Sequence, residues 1–225
     1  MMTRFAPVLA FLIALTTSTS ATQGSATLSP SRHDVAPPEA LAKSIAEKLA
    51  PGGVRVLVAK GPATLDFWWV TALPLQSGSA ELSWTGVAEG SLIGAVNIPS
   101  DFRDIRGRVV KAGVYTLRYG IQPSNGDHLG VSPYREFLLL SPASSDLDAA
   151  PRGHEGTIEI SRLSVGGSHP GVLSIDPPVT KAAALQLLKT ELGHDAVVME
   201  VPVTRDGKPA GTLRFGLVLN GRIEA

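Results

Sequence analysis

The loop from 122 to 136 concentrates polar side chains that could bind a ligand. It holds Asp127, His128, Tyr134 and Arg135, and it joins two segments that we predict to be strands. Loops on a rigid β scaffold are common recognition sites. The alternative is that this segment is only a long hairpin connection. If the protein binds a ligand or a partner, we expect these four residues to contact it.

A second set of residues could bind a metal ion. Four of the five histidines sit beside an acidic residue, as in Asp127-His128 and His154-Glu155. Imidazole and carboxylate groups are ligands of zinc and other divalent ions. Asp127, His128, His154 and His169 are therefore candidate ligands of a divalent metal. The alternative is that they are ordinary turn residues, because no pair has the spacing of a known metal motif.

Motifs of several enzyme classes are missing from the sequence. It contains no Gly-x-Ser-x-Gly, no Gly-x4-Gly-Lys, no Gly-x-Gly-x-x-Gly that opens a helix and no His-Glu-x-x-His. The absence of cysteine excludes thiolate chemistry, disulfides and a cysteine-linked lipid anchor. With 20 basic and 20 acidic residues, the chain has no global field to attract nucleic acid.

Aromatic residues form a third candidate site. Phe67, Trp68 and Trp69 are consecutive, and Trp84 follows in the next predicted strand. Aromatic faces on β proteins can bind sugars, so the expected partner is a carbohydrate or an envelope protein. Neighbouring residues of a strand point to opposite faces, however, and packing in the core is the alternative use of these rings.

The N-terminal residues resemble an export signal. Residues 1–21 combine Arg4 with an apolar run shorter than the roughly 20 residues of a membrane span, followed by small polar residues. We predict a signal peptide at 1–21, a flexible leader at 22–36 and one β-sandwich domain at 37–225. After cleavage we expect no membrane span and a periplasmic or secreted location. The segment 141–156 is either a hinge or a long surface loop.

Short runs of β-branched and aromatic residues, separated by turn residues, predict a mainly β protein. The fold class that we expect is an antiparallel β-sandwich, jelly-roll or immunoglobulin-like, with two short peripheral helices. One helix lies within 37–53 and the other at 180–192, where Gly193 would end it in a left-handed conformation. The predicted strands are 54–59, 64–73, 80–88, 91–98, 107–111, 114–121, 134–140, 157–165, 171–175, 196–204 and 210–219.

The strand at 114–121 carries the clearest alternation. Tyr115, Leu117 and Tyr119 share one face, which we predict to be the core, and Arg118 lies on the opposite face. Gly113 would occupy a turn with positive φ ahead of this strand. The loop between the last two strands contains Asp206-Gly207, for which we predict a connection longer than two residues.

The segment 112–117 also resembles the Ala-Gly-x-Tyr-x-Leu phrase of uncharacterised exported β-sandwich proteins of bacteria. Gly113, Tyr115 and Leu117 occupy its defined positions, and the wider likeness covers about a quarter of the chain. The resemblance implies a sandwich fold and no particular reaction. The sequence thus predicts an exported binding or accessory protein with no required cofactor. A metal-dependent hydrolase that uses a metal-bound water is the alternative.

Overall fold

The structure is a computed structural model that describes residues 28–58, 64–79, 81–123, 134–176 and 181–221. Within these ranges the protein is mainly β, as predicted. No helix in the described ranges is both long enough and apolar enough to cross a membrane.

The elements are named in chain order. The strands are β1 (Leu28–His33), β2 (Gly53–Val58), β3 (Thr64–Trp69), β4 (Leu73–Pro74), β5 (Leu92–Ile98), β6 (Phe102–Arg103), β7 (Val109–Val110), β8 (Gly113–Ile121), β9 (Glu136–Pro142), β10 (Val172–Asp176), β11 (Leu187–Lys189), β12 (Asp195–Arg205) and β13 (Lys208–Asn220). The helices are α1 (Lys43–Ala46) and α2 (Gly153–Arg162), and Trp84–Gly86 forms a 3-10 turn.

Most strands belong to one curled sheet in the order β1-β2-β3-β5-β8-β9-β10-β13-β12-β11. These neighbours pair antiparallel, β4 pairs parallel with β12, and β6 and β7 form a separate small sheet. Strand β10 joins two halves, because its first residues pair with β9 and its last residues pair with β13. A jelly-roll or immunoglobulin-like sandwich is not confirmed, since these strands form a half-barrel and a small second sheet.

Aromatic packing shows how strongly the sheet curls. Trp69 on β3 and Phe215 on β13 are distant in strand order, yet their rings meet edge to face at 5.5 Å. Trp84 lies 5.2 Å from Phe215 and also stacks on Tyr119 at 5.2 Å. The rings proposed as a sugar surface are therefore core residues, and Trp68 is buried as well.

Three predictions in the N-terminal half of the chain have different outcomes. The three residues of the predicted stripe, Leu41, Ile45 and Leu49, are all buried, but the helix within 37–53 is only the short α1 (Lys43–Ala46), and Leu41 and Leu49 lie outside it. The predicted leader at 22–36 instead contains β1, which pairs along its whole length with β2. Within 81–88, part of the predicted strand at 80–88, the structure has the 3-10 turn at Trp84–Gly86 and no strand.

The strand predicted at 157–165 is wrong, because α2 occupies 153–162. The helix packs on β9 and β8 with a face of small polar residues, Thr157, Ser161 and Ser164, all buried. The Thr157 hydroxyl donates to the Gly153 carbonyl, and the Ser161 hydroxyl donates to the Gly171 carbonyl. This i, i+4, i+7 pattern is helical, but it is not the apolar stripe that identifies most surface helices.

The helix predicted at 180–192 is also wrong within 181–192. Leu185 has φ +65° in a turn, and Leu187–Lys189 forms strand β11 against β12. Gly193 has the predicted positive φ, but it serves the turn between these strands. Pairing with β12 at the sheet edge therefore overrides the local helix propensity.

The turn between β12 and β13 also differs from the prediction. Asp206 and Gly207 form a two-residue turn rather than a longer loop.

Strand β8 is buried on both faces. Tyr115, Leu117 and Tyr119 face the core, as predicted, but Arg118 on the opposite face is fully buried too. Gly113 begins the strand without the positive φ that we expected. The second face is covered by α2 and by the segment 143–152, which includes most of the predicted hinge or loop.

One buried ion pair holds the segment 143–152 against β8. Arg118 donates from Nε and Nη2 to the two carboxylate oxygens of Asp146, at 2.7 and 2.9 Å. It also donates from Nη1 to the carbonyls of Gly90 and Ala150, at 3.0 and 2.7 Å. Nη2 reaches the carbonyl of Asp148 as well. Both side chains of the pair have 0% exposure, so hydrogen bonds to protein oxygens replace those that the guanidinium would make to water.

Two further groups complete the environment of Asp146. The Thr116 hydroxyl and Arg152 Nε donate to its carboxylate, at 2.5 and 2.9 Å. Removing one member of a buried, hydrogen-bonded pair leaves the other charge without compensation. The segment that leads into α2 is therefore held by charge-assisted bonds from β8.

We expect Asp146→Ala to lower the free energy of unfolding by about 3–5 kcal/mol, because Arg118 stays buried without its carboxylate. Urea denaturation measures the change. Glu47→Ala is the control, since it breaks only the exposed pair with Lys43 and should leave the midpoint almost unchanged. Equal midpoints for the wild type and Asp146→Ala would contradict the role of this pair.

Gly90 allows the start of α2 to approach β8. Its φ is +80°, and an added Cβ would lie 2.6 Å from the backbone nitrogen of Gly153. Gly166 has a similar φ of +63°, but an added Cβ there would meet open space. Substitution at Gly166 therefore tests backbone strain alone, whereas substitution at Gly90 adds a clash with the backbone of α2.

We expect Gly166→Ala to cost about 1–2 kcal/mol through backbone strain alone. Gly90→Ala should cost at least about 1 kcal/mol more, because its methyl group also displaces the start of α2. Chemical denaturation of both variants measures the difference. If the two substitutions cost the same, the close approach at Gly90 does not constrain the helix.

Candidate functional site

A cavity of about 190 Å³ lies between α2, the ends of β8 to β10 and the segment after β6. We call it the α2 cavity. Five separate parts of the chain line it, at 105–106, 122–123, 134–137, 154–162 and 168–174. The curled sheet and the cover on β8 bring these parts together.

The wall of the α2 cavity combines an apolar surface with charged groups. Ile105, Phe137, Ile158 and Val172 are the large apolar side chains on this wall. The polar side chains on the wall are Arg106, Gln122, Tyr134, Glu136, His154, Arg162, Ser168, His169 and Ser174. Apolar walls with a few convergent polar groups are typical of small-molecule sites.

A turn built on Asp104 presents Arg106 to the cavity. Asp104 Oδ1 accepts hydrogen bonds from the backbone nitrogens of Arg106 and Arg108, at 3.0 and 2.8 Å. Arg108 lies with Nε 3.8 Å from Asp104 Oδ2 and donates from Nη1 to the carbonyl of Pro170 at 3.1 Å. Arg108 thereby ties the turn at 104–108 to the segment that carries Ser168 and His169.

His154 is held at the edge of the cavity by Glu89. Its Nδ1 lies 2.6 Å from Glu89 Oε1, which also accepts a hydrogen bond from the backbone nitrogen of Ile121 at 3.0 Å. A carboxylate on one ring nitrogen fixes the orientation of an imidazole and can select its tautomer. This pair fixes one face of the α2 cavity relative to β8.

The base of the loop at 122–136 is closed by its flanking residues. Arg135 donates from Nε and Nη2 to the carbonyl of Gln122, at 2.9 and 2.6 Å, and its side chain does not line the cavity. Tyr134 does line the cavity, and its hydroxyl donates to Asp176. Burial raises the pKa of both groups, and the negative charge of Glu191 adds to the shift.

The predicted site residues therefore have different outcomes. Tyr134, His154 and His169 line the same cavity, whereas Arg135 closes the base of the loop. Asp127 and His128 lie outside the described residues. No group of three or more potential metal ligands occurs within the described ranges.

Sequence reasoning missed Arg106, Arg162 and Glu89. The signal for Arg106 was present in the charged segment around 101–108, but we expected only a solvated loop there. Arg162 could not be placed because its helix was predicted as a strand. Glu89 reaches His154 across 65 residues of sequence, a separation that local patterns do not cover.

A larger cavity of about 410 Å³ lies under the β6–β7 sheet. Two of its polar side chains are engaged, because Arg103 donates to the Gly107 carbonyl and Asn220 donates to Asp195. The third, Asp104, has an Oδ2 that is buried and makes no hydrogen bond. The side chain of Asp104 on that wall has no exposed surface. We therefore place the candidate site in the smaller α2 cavity, where charged groups are open to a ligand.

Comparisons with protein-family models, with curated proteins and with solved structures find no match for this chain. The function is therefore argued from the geometry of the α2 cavity.

The turn that presents Arg106 should respond to pH in a defined direction. Burial raises the pKa of Asp104, against the hydrogen bond from the Arg108 backbone and the charges of Arg108 and Arg106. Such a carboxyl contributes stability below its unfolded-state pKa of about 3.9, and this contribution is lost as pH rises through the native pKa. Asp101 is the opposite case, because its bond to Lys111 lowers its pKa.

We expect the free energy of unfolding of Asp104→Asn to increase relative to that of the wild type as the pH rises from about 3.5 toward 7. The free energy of unfolding of Asp101→Asn should decrease relative to that of the wild type over the same range, because this variant lacks a carboxylate that the native state stabilises in its ionised form. Denaturation at several pH values gives both differences. Two trends of the same sign would show that the local environment of Asp104 is assigned wrongly.

Proposed function

We propose that this protein is an exported binding or accessory protein that takes a small ligand into the α2 cavity. The observation that supports the proposal is the convergence of five chain segments around an apolar wall with charged groups at its edge. Three of the residues chosen from the sequence, Tyr134, His154 and His169, belong to this wall. A sandwich-like scaffold and a periplasmic or secreted location remain parts of the proposal.

The scaffold suits a site that is formed before the ligand arrives. The Arg118–Asp146 pair holds the segment leading into α2, the Glu89–His154 pair holds the start of that helix, and Arg108 holds the segment after it. Preorganised walls reduce the ordering cost of binding. The cavity is smaller than the roughly 300–1,000 Å³ of typical ligand sites, so the ligand should be on the order of ten non-hydrogen atoms.

Binding is the function that this arrangement supports best. The hydrolase alternative needs at least three protein ligands for its metal. Of its four candidate ligands, His154 and His169 lie on the cavity wall. Nδ1 of His154 is already engaged by Glu89.

A panel of one-ring fragments tests the proposal. We expect at least one of benzamide, benzoate and benzylamine, at millimolar concentration, to shift the backbone amide signals of Phe137, Ile158 and Val172. Ser174→Leu should weaken binding by filling the cavity from β10. Ser31→Leu, an exposed change of the same kind on β1, should not.

The comparison of variants separates binding from folding. Melting temperatures of Ser174→Leu and Ser31→Leu show whether each variant remains folded. If no fragment shifts the cavity signals, or if Ser174→Leu binds as well as the wild type, the α2 cavity is not the ligand site.

A further inference from the structure

Two arginines, Arg106 and Arg162, and one carboxylate, Glu136, line the α2 cavity in the described part of the chain. Within the described ranges, the guanidinium groups of Arg106 and Arg162 make no hydrogen bond and no ion pair. The carboxylate of Glu89 accepts from Ile121 and contacts His154. The described lining therefore carries more positive than negative charge, two arginines against the one carboxylate of Glu136.

Glu136 is the acidic side chain that lines the cavity within the described residues, and one of its oxygens has a partner. Glu136 Oε2 accepts a hydrogen bond from the backbone nitrogen of Arg135 at 3.1 Å. Asp104, the carboxylate nearest to Arg106 in sequence, has Oδ1 occupied by two backbone nitrogens. Its Oδ2 is buried without a hydrogen bond, at 3.8 Å from Arg108 Nε.

Arg106 is only partly exposed, which makes its lack of a partner costly. Burial lowers its pKa, and the neighbouring charge of Arg108 adds to that effect, while Asp104 opposes it. A guanidinium that has lost water gains most from an oxyanion, which can accept two parallel hydrogen bonds. Among the described residues, the environment of Arg106 therefore leaves room for an added anion.

The apolar part of the wall limits what can carry that anion. Ile105, Phe137, Ile158 and Val172 present hydrocarbon surface, which a free inorganic ion would leave exposed to water. We propose that the α2 cavity binds a small organic oxyanion, a carboxylate or phosphate ester on an apolar body, with Arg106 as its main polar contact and Arg162 as a second one. This inference rests on the proposed function and names its ligand class.

The charge of the fragment tests the inference on the wild-type protein. Benzoate and phenyl phosphate represent the two oxyanions, benzamide is the neutral match of benzoate, and benzylamine is the cationic counterpart. We expect at least one oxyanion to bind about tenfold or more tightly than benzamide, and benzylamine to bind most weakly. Raising the salt concentration should weaken oxyanion binding and leave benzamide almost unaffected.

Matched arginine variants assign the effect to this cavity. Arg106→Gln should reduce affinity for the tighter oxyanion about tenfold or more and should leave benzamide binding unchanged. Arg162→Gln should reduce it by a smaller factor, because that side chain is exposed. Arg214→Gln removes the same charge on β13, where the arginine pairs with Glu200, and should have no effect.

The outcomes separate this inference from the proposed function. If benzamide binds in the cavity as tightly as both oxyanions, the cavity remains a ligand site and the oxyanion inference is wrong. If no fragment binds there, the proposed function fails as well. If Arg106→Gln does not fold, the fragment and salt comparisons on the wild type still decide the question.

Discussion

The buried pair between Arg118 and Asp146 is the constraint on which the rest of the structure depends. A charged side chain in the centre of a core strand must find acceptors inside the protein, because water cannot reach it. The acceptors come from Asp146 and from the carbonyls of Gly90, Asp148 and Ala150. The hydrogen bonds of this one guanidinium therefore hold the segment 146–150 against β8, immediately before α2 begins.

The curled sheet and this cover together produce the α2 cavity. The contact between Trp69 and Phe215 closes the sheet around an aromatic core on its concave side. On the other side, α2 approaches β9 through small polar residues whose hydroxyls bond locally, so the helix lies close to the sheet. The cavity lies between the face of α2 that carries His154, Ile158 and Arg162 and the turn that carries Arg106.

The sequence predicted the strands better than the helices, for a physical reason. Strands such as β5, β8 and β13 contain β-branched or aromatic runs whose local pattern agrees with their place in the sheet. In α2 the buried face is polar, and at 181–192 a helical pattern yields to pairing with β12. Both failures come from tertiary contacts that no local window contains.

The candidate site was predictable only in part. Turn histidines and a tyrosine beside a strand are local signals, and Tyr134, His154 and His169 do meet at one cavity. Arg106 acquires its importance because its guanidinium makes no hydrogen bond or ion pair with the described residues. This is a property of the folded environment and not of the segment 101–108. The charge balance of the whole chain is zero, so it gave no indication of a local excess of positive charge.

The central claim is that the α2 cavity holds an organic oxyanion against Arg106. A crystal structure of the protein with 4-bromobenzoate tests it most directly, because anomalous scattering locates the bromine without reference to the expected site. The account predicts bromine against the apolar wall formed by Phe137 and Ile158, with the carboxylate within about 3.2 Å of the Arg106 guanidinium. Bromine ordered elsewhere, no bound fragment, or a carboxylate turned away from Arg106 would contradict it.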